Sequence, residues 1–230
     1  NTIYGAQTIA EYAWALLMEV CHHVDLHSKN VKGVDWENAT PELLSMFGRV
    51  QTPQIELYEK TCGIFGLGSI GYAFAKMANG FGMRVISYSR HKKEGSQYDF
   101  IEQVDMDTLL KESDVISIHA PFTPSTADTF DAEAFSKMKD GVILINTARG
   151  GLIVEEALTE ALKSGKVYGA GLDVLRDEPP KGDNPLFHLN NTSITAHIAW
   201  LTKESRIRAT HMAINNFKAY LKGEPVSVIN

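Results

Sequence analysis

Residues 61–71 read Thr-Cys-Gly-Ile-Phe-Gly-Leu-Gly-Ser-Ile-Gly, a segment with three glycines in the spacing Gly-x-Gly-x-x-Gly from Gly66 to Gly71. The apolar run Cys62–Phe65 predicts a buried strand, and apolar residues at helical spacing follow directly after the glycines. Gly66 would allow a sharp turn, Gly68 would leave no side chain between the backbone and a pyrophosphate, and Gly71 would let the helix pack close to the strand. The helix N-terminus would then present unpaired N–H groups to that anion. This order predicts dinucleotide binding, and the alternative is a glycine-rich turn of an α/β protein.

The composition of the 230 residues argues against several function classes. A net charge of −6 provides no extended basic face for phosphates, so we expect no nucleic-acid partner. No apolar stretch reaches the roughly 18 residues that a membrane span requires, so we expect no membrane association. The two cysteines, Cys21 and Cys62, fall in helical and strand patterns and are too few for a disulfide framework or a metal site. We therefore expect core thiols, no metal and a cytoplasmic location.

Short apolar runs alternate with helical patterns, which predicts one doubly wound α/β domain of the Rossmann type. The runs are apolar at successive positions, as is typical of a parallel sheet covered by helices on both faces. The predicted strands are residues 62–66, 84–88, 115–118, 142–145, 168–172 and 192–195, and the clearest predicted helices are 8–20, 155–164 and 203–221. We expect residues 25–58, which are polar and lack a regular pattern, to form a helical arm rather than part of the sheet.

Polar residues follow the ends of the predicted strands. The segments that follow them are the glycine loop, Ser89–Lys93, His119–Pro121, Asn146–Gly150, Asp173 and Ala196–Ala199. The carboxyl ends of parallel strands meet at one edge of an open sheet, and ligands bind there. The sequence therefore predicts a single site at that edge.

Four separated motifs resemble those of the D-isomer-specific 2-hydroxyacid dehydrogenases. In chain order they are Gly66–Gly71, Asn146–Ile153, Gly171–Val174 with Glu178-Pro179, and Ala196–Trp200. The resemblance extends over nearly the whole chain, including Asn1–Val24 and Phe47–Leu57. It is closest to the glycerate dehydrogenase/hydroxypyruvate reductase branch, because of Thr52–Leu57 and His197–Trp200.

The resemblance implies a catalytic role for three residues. His197 would protonate the substrate carbonyl oxygen as hydride arrives, a task that suits a group titrating near neutral pH. Glu178 would hydrogen-bond the imidazole and fix its orientation. Arg149 would bind the substrate carboxylate through its planar guanidinium group. From the residues alone, Arg149 also fits a contact to cofactor phosphate only, and Glu178 fits a solvated turn.

The resemblance also implies a set of contacts to an NAD(P) cofactor. The nicotinamide carboxamide would meet Asp173, which from the residues alone also fits a cap or turn position. The adenosine side would be bordered by His119, Pro121 and Thr126. The full set comprises Gly66, Gly68, Ser69, Ile70, Gly71, Ser89, Arg90, His119, Ala120, Pro121, Thr126, Thr147, Ala148, Arg149, Asp173, His197 and Ala199.

The end of the second strand departs from the pattern that is usual for NAD. An acidic residue normally stands there, about 20 residues past the glycines, and accepts hydrogen bonds from the ribose 2′-OH. In this chain the position is Ser89, followed by Arg90, His91, Lys92 and Lys93. This position therefore has no carboxylate that would repel a 2′-phosphate, and Arg90 can form an ion pair with such a phosphate. We therefore predict a preference for NADP(H) over NAD(H), and the alternative is a solvated basic loop.

The function expected from the resemblance is hydride transfer between nicotinamide and C2 of a D-2-hydroxy acid or 2-oxo acid. A glycerate/hydroxypyruvate or glyoxylate-like substrate is expected, and the alternative is a non-catalytic cofactor-sensing corepressor of the same fold. We expect residues 1–230 to be the NAD(P)-binding domain without its N-terminal substrate-binding domain, and so to bind cofactor but to turn over slowly. The 25–58 arm would embrace a second subunit in a homodimer.

Overall fold

The apolar runs form the centre of one parallel sheet in the computed structural model, which describes residues 4–49 and 52–228. The seven strands are β1 (Thr61–Phe65), β2 (Arg84–Tyr88), β3 (Ile101–Gln103), β4 (Val115–Ile118), β5 (Val142–Asn146), β6 (Val167–Leu172) and β7 (Thr192–Ile194). They are ordered β3-β2-β1-β4-β5-β6-β7, and every neighbouring pair is parallel. The strand order reverses between β1 and β4, which opens a crevice at the carboxyl edge. The predicted doubly wound fold is confirmed.

Helices cover both faces of the sheet. The helices of the described chain are α1 (Ala6–His22), α2 (Val24–Lys32), α3 (Pro41–Met46), α4 (Ser69–Gly80), α5 (Met106–Glu112), α6 (Ala132–Lys137), α7 (Glu155–Lys163) and α8 (Lys203–Leu221). The helices α1 and α4 enclose one half of the apolar core, and α5, α6 and α7 enclose the other. Every residue of β1, β4 and β5 is buried, as expected for central strands covered on both sides.

The sequence prediction missed β3. Only Ile101 of its three residues is buried, and the strand pairs on one side only, with β2. An edge strand of this length has no apolar run to reveal it. The first predicted strand also ends one residue early, at Phe65, because Gly66 has a φ of +100° and starts the loop.

The 25–58 arm contains α2 and α3 and no strand among its described residues. Residues 50 and 51 of this arm, and residues 1–3 of the resembling segment Asn1–Val24, lie outside the described residues. Neither helix of the arm buries a residue, but the last residues of the arm reach the core, where Leu57 is buried and Ile55 packs against the buried cluster.

The start of α1 is joined to the segment that leads into α8. The Thr8 and Thr202 hydroxyl oxygens lie 2.9 Å apart, and the Arg208 Nε–H donates to the Tyr4 carbonyl at 2.8 Å. The rings of Tyr4 and Trp200 meet edge to face. These contacts join the first described residues to residues 200–208. Within residues 4–49 and 52–228, no helix is both long and apolar enough to cross a bilayer.

Candidate active site

The three glycines of the loop between β1 and α4 are needed for different structural reasons. A Cβ on Gly66 would lie 2.6 Å from the Ala120 backbone nitrogen, and a Cβ on Gly71 would overlap the Gly66 carbonyl oxygen. A Cβ on Gly68 would meet no other described atom within 4 Å. Gly66 and Gly71 therefore permit close packing of backbone on backbone, whereas Gly68 leaves space open above the helix N-terminus.

Two cavities lie along the carboxyl edge of the sheet and share Gly68 and His119–Pro121. The first, here called the Arg90 cavity, has a volume of about 420 Å³, and the second, the His197 cavity, about 770 Å³. The predicted cofactor residues that line the Arg90 cavity are Gly66, Gly68, Ser89, Arg90, His119, Ala120, Pro121 and Thr126. Those that line the His197 cavity are Gly68, Ser69, Ile70, His119, Ala120, Pro121, Thr147, Ala148, Arg149, Asp173, His197 and Ala199. Of the predicted cofactor residues, Gly71 alone lines neither cavity, because it packs against β1.

The structure places Glu178 in contact with His197, which lines the His197 cavity. The imidazole Nδ1 lies 2.6 Å from Glu178 Oε2, and Glu178 Oε1 accepts the Leu175 N–H at 3.0 Å. Both side chains are partly exposed, and Glu178 itself does not line the cavity. One carboxylate oxygen is therefore fixed to the backbone while the other holds the imidazole.

Asp173 follows β6 and holds the loop that carries His197. The side chain of Asp173 is 1% exposed, and its carboxylate accepts hydrogen bonds from the Thr195 hydroxyl at 2.6 Å and from the Ile198 and Ala199 N–H groups at 2.9 and 2.8 Å. Its carbonyl accepts the His197 N–H at 2.8 Å. These bonds stabilise the left-handed backbone of His197, whose φ is 56°. Asp173 is therefore more than a simple cap of the strand end.

Arg149 is exposed at the mouth of the same cavity. Its backbone is fixed by Asn146, because the Asn146 amide donates to the Arg149 carbonyl at 3.0 Å and accepts the Ala148 N–H at 2.9 Å. The Arg149 guanidinium donates only to the Ala148 carbonyl among the described groups, at 2.6 Å. A rigid backbone thus presents a cation that is not paired with any described carboxylate.

His119 lines both cavities and is partly buried. Its Nε2 is 2.8 Å from the Ser117 hydroxyl oxygen, and its ring packs against Phe74. Burial lowers the pKa of His119 from 6.5 to about 3, so the ring is neutral at physiological pH. Within the described residues, His119 Nδ1 and Thr147 Oγ1 are buried polar atoms without a hydrogen-bond partner. Such atoms are expected where a polar ligand completes a site.

The segment after β2 closes the Arg90 cavity. The Ser89 hydroxyl oxygen accepts the Leu67 N–H at 2.6 Å, which ties this segment to the glycine loop. Arg90, His91 and Lys93 line the cavity, and no aspartate or glutamate is among the described residues that line it. The local charge is therefore positive.

No cluster of three or more His, Cys, Asp or Glu residues that could hold a metal ion occurs within the described ranges. Cys21 and Cys62 are buried thiols of α1 and β1, and burial raises the pKa of Cys21 to about 12. Both cysteines belong to the core, as predicted.

Residues 14–199 match the family model of the D-isomer specific 2-hydroxyacid dehydrogenase NAD binding domain. The chain belongs to this family. A hydroxypyruvate reductase of Blautia hydrogenotrophica is 45% identical over 99% of this chain and 69% of that protein. A glycerate dehydrogenase of Methylorubrum extorquens is 36% identical over 98% of this chain and 69% of that protein. The predicted family and branch are confirmed.

The solved structures extend this family likeness to the fold. An acyclic imino acid reductase in complex with NADPH and D-Arg has a TM-score of 0.82 and 36% identity, covering 99% of this chain and 69% of that one. The family model is thus an NAD-binding domain, whereas this structural neighbour holds NADPH. The oxidoreductase prediction is confirmed, and the comparisons do not favour the corepressor alternative.

The candidate site contains residues that were not predicted from the sequence. Tyr4, which precedes α1, Ile9 of α1 and Phe122 line the His197 cavity together with Trp200. Phe122 packs over Gly151, where a Cβ would lie 2.7 Å from its ring. Tyr4 and Trp200 are 196 positions apart, so no local pattern could have indicated that they meet.

Proposed function

We propose that this chain binds NAD(P) and takes part in the interconversion of a D-2-hydroxy acid and the corresponding 2-oxo acid, with glycerate/hydroxypyruvate or glyoxylate-like compounds as substrates. The observation that carries the proposal is that His197, held by Glu178, lines the same cavity as Arg149 and the glycine loop. An acid/base group, a carboxylate-binding cation and an anion-binding helix terminus are the groups that this reaction requires.

His197 is assigned the proton transfer. Since Nδ1 faces the Glu178 carboxylate, Nδ1 carries a hydrogen and Nε2 is left to exchange a proton with the substrate. In its protonated form Nε2 donates to the carbonyl oxygen of a 2-oxo acid, and in its neutral form it accepts the proton of a hydroxy acid. Glu178 stabilises the charged imidazolium and prevents the ring from rotating.

Arg149 is assigned the substrate carboxylate. Among the described groups its guanidinium donates only to a neighbouring carbonyl, Ala148 O, which is a weaker partner than a carboxylate. If the guanidinium exchanged that contact for a bidentate ion pair with the carboxylate of a 2-oxo acid, the substrate carbonyl would be oriented toward His197.

The residues present fit a nicotinamide dinucleotide. The open space above Gly68 and the N-terminus of α4 would hold the pyrophosphate, and the buried His119 and Thr147 atoms provide polar partners along the cavity. Asp173 and Ala199 would border the nicotinamide. When bound, the cofactor supplies or accepts the hydride.

NADP(H) is the proposed preferred cofactor. The Ser89 hydroxyl accepts one hydrogen bond from Leu67 and retains its own O–H to donate to a phosphate oxygen. Arg90 and Lys93 line the same cavity and add two positive charges. A ribose 2′-phosphate bound there would therefore contact hydrogen-bond donors and positive charges.

A homodimer through the 25–58 arm is also proposed. Leu44, Met46 and Phe47 are 54, 48 and 71% exposed on an arm that buries none of its helical residues. Such apolar exposure suits a protein contact. Light scattering of the protein and of its Phe47→Glu variant tests this. A dimeric parent and a monomeric variant would support a dimer contact through the arm, and a monomeric parent would contradict it.

A cytoplasmic location stays a prediction.

Calorimetric titration with NADPH and, separately, NADH at low salt is the direct test of cofactor binding. Tighter binding of NADPH by about tenfold or more, equivalent to about 1.4 kcal/mol, supports the preference. Equal binding of both contradicts the preference but not the dehydrogenase assignment. If neither cofactor binds, the proposed function itself is contradicted. Turnover of glyoxylate and hydroxypyruvate by the full-length protein then tests the substrate class.

A further inference from the structure

Gln103 is the last residue of β3 and pairs in register with Ser87 of β2. Beyond this pair, β2 ends at Tyr88 and the chain continues into the basic segment Arg90–Lys93. The backbone ladder of the sheet does not extend to this segment, so its conformation depends on other contacts.

The Gln103 side chain supplies those contacts. Its Oε1 accepts the Lys93 N–H at 2.7 Å, and its Nε2 donates to the Lys93 carbonyl at 2.7 Å. One amide thus satisfies both backbone groups of a single residue, as a neighbouring strand would. Lys93 is only partly exposed, whereas Arg90 and His91 at the other end of the segment are exposed.

The segment is therefore fixed at two points. At its start, the Ser89 hydroxyl accepts the Leu67 N–H at 2.6 Å, and near its end the Gln103 amide holds Lys93. Arg90 lies between these two points and lines the Arg90 cavity together with Lys93. Long basic side chains lose much conformational freedom when they bind an anion, and a fixed backbone lowers that cost.

We propose that Gln103 is a positioning residue for cofactor discrimination: it holds the backbone of the basic segment so that Arg90 and Lys93 face a ribose 2′-phosphate. This inference rests on the proposed NADP(H) preference. Gln103 touches neither reacting atoms nor, by this proposal, the cofactor, and it acts through Lys93. A neutral amide is required because the contact needs one acceptor and one donor side by side.

The test compares Kd values for NADPH and NADH in the parent protein and in Gln103→Met, which keeps the length of the side chain and removes both hydrogen bonds. Binding of NADPH should weaken about five- to tenfold while NADH changes less than about twofold, as expected for the loss of hydrogen bonds that serve only the 2′-phosphate. In an Arg90→Ala background the effect of Gln103→Met on NADPH should shrink to about twofold or less. Gln97→Met, at an exposed glutamine of the same β2–β3 connection, is the matched control and should change neither affinity.

Four outcomes overturn the inference. If NADPH binding is unchanged in Gln103→Met while the parent prefers NADPH, Gln103 has no positioning role and the cofactor proposal survives. If both cofactors weaken equally, or if the loss persists in full without Arg90, Gln103 only maintains the cavity. If the parent binds both cofactors equally, the cofactor preference has failed and this inference fails with it. Gln103→Ala, checked for folding by its thermal midpoint, decides the same question should the methionine variant not fold.

Discussion

His197 and Glu178 form a pair in which the imidazole Nδ1 lies 2.6 Å from a carboxylate oxygen, while the other carboxylate oxygen accepts the Leu175 N–H. The His197 backbone has a φ of 56°, a left-handed conformation that a residue with a side chain adopts at a cost of order 1 kcal/mol. The imidazole is therefore oriented by contacts within the fold, which is the arrangement expected of a group that must meet a substrate oxygen at a set angle.

Replacement of His197 by alanine should lower the rate of 2-oxo acid reduction by about two to four orders of magnitude, as is typical of the loss of a general acid. The measurement is steady-state oxidation of the reduced cofactor by the full-length protein. His188→Ala is the matched control, because His188 also lies against a carboxylate, with its Nε2 2.5 Å from Asp183 Oδ1, but lines neither cavity. A His197→Ala rate within a few-fold of the parent would remove His197 from the mechanism.

Asp173→Asn should destabilise the fold by about 2–4 kcal/mol, because an amide cannot accept all three hydrogen bonds that the buried carboxylate receives. At least one N–H of the His197 loop would face an NH₂ group instead of an oxygen. Urea unfolding measures the loss. Asp183→Asn, at a side chain that is 79% exposed, should stay within about 0.5 kcal/mol of the parent. Equal stability of the two variants would show that Asp173 does not hold the loop.

Gly71→Ala should destabilise the protein by about 2–4 kcal/mol, since the added methyl group would overlap the Gly66 carbonyl oxygen and force α4 away from β1. Gly80 in the same helix provides the control, because a Cβ there meets no described atom within 4 Å. Gly80→Ala should gain about 0.5–1 kcal/mol from helix propensity. Thermal and urea unfolding of both variants test the prediction, and a neutral Gly71→Ala would contradict the close approach.

The glycine loop could be predicted because its function and its packing depend on the same local sequence. The spacing of Gly66, Gly68 and Gly71 follows from a turn, an open anion site and a close helix–strand contact, all within six residues. The central strands were equally visible, since burial on both faces leaves an uninterrupted apolar run in the sequence.

Other parts of the site could not be predicted because the interacting groups are distant in sequence. The Asp173 carboxylate binds donors more than twenty residues away, and a lone aspartate after a strand does not specify which donors it will meet. Likewise β3 is a short edge strand, so neither it nor the contact between Gln103 and Lys93 has an apolar signature. The contact between Tyr4 and Trp200 depends on how α1 and α8 meet.

Arg90→Asp should weaken NADPH binding far more than NADH binding, because a carboxylate repels a 2′-phosphate and can accept hydrogen bonds from a ribose 2′-OH. A loss of about tenfold or more for NADPH, with NADH unchanged or improved, is expected in calorimetric titrations. Lys76→Asp, on α4 and outside the Arg90 cavity, controls for net charge. Equal losses for both cofactors would remove Arg90 from the phosphate site.

Protonation of His119 should couple stability to pH. Burial lowers the pKa of His119 from 6.5 to about 3, so between these values the unfolded chain binds a proton that the folded chain does not. The free energy of unfolding contributed by this group is therefore fully present above pH 6.5 and falls as the pH drops, by up to about 1.4 kcal/mol per pH unit. His119→Gln removes the titration and keeps a neutral group that can bond the Ser117 hydroxyl.

The measurement is urea unfolding of the parent and of His119→Gln between pH 7 and pH 5. The parent should lose stability relative to the variant as the pH falls, and the difference should grow by about 1 kcal/mol or more over this range. His211→Gln, at an exposed position of α8, should show the same pH dependence as the parent. A parent and a His119→Gln variant with parallel pH profiles would mean that the imidazole gains a proton in the folded state as readily as in the unfolded chain. The wall between the two cavities would then be accessible to water, and His119 could carry a charge beside a bound phosphate.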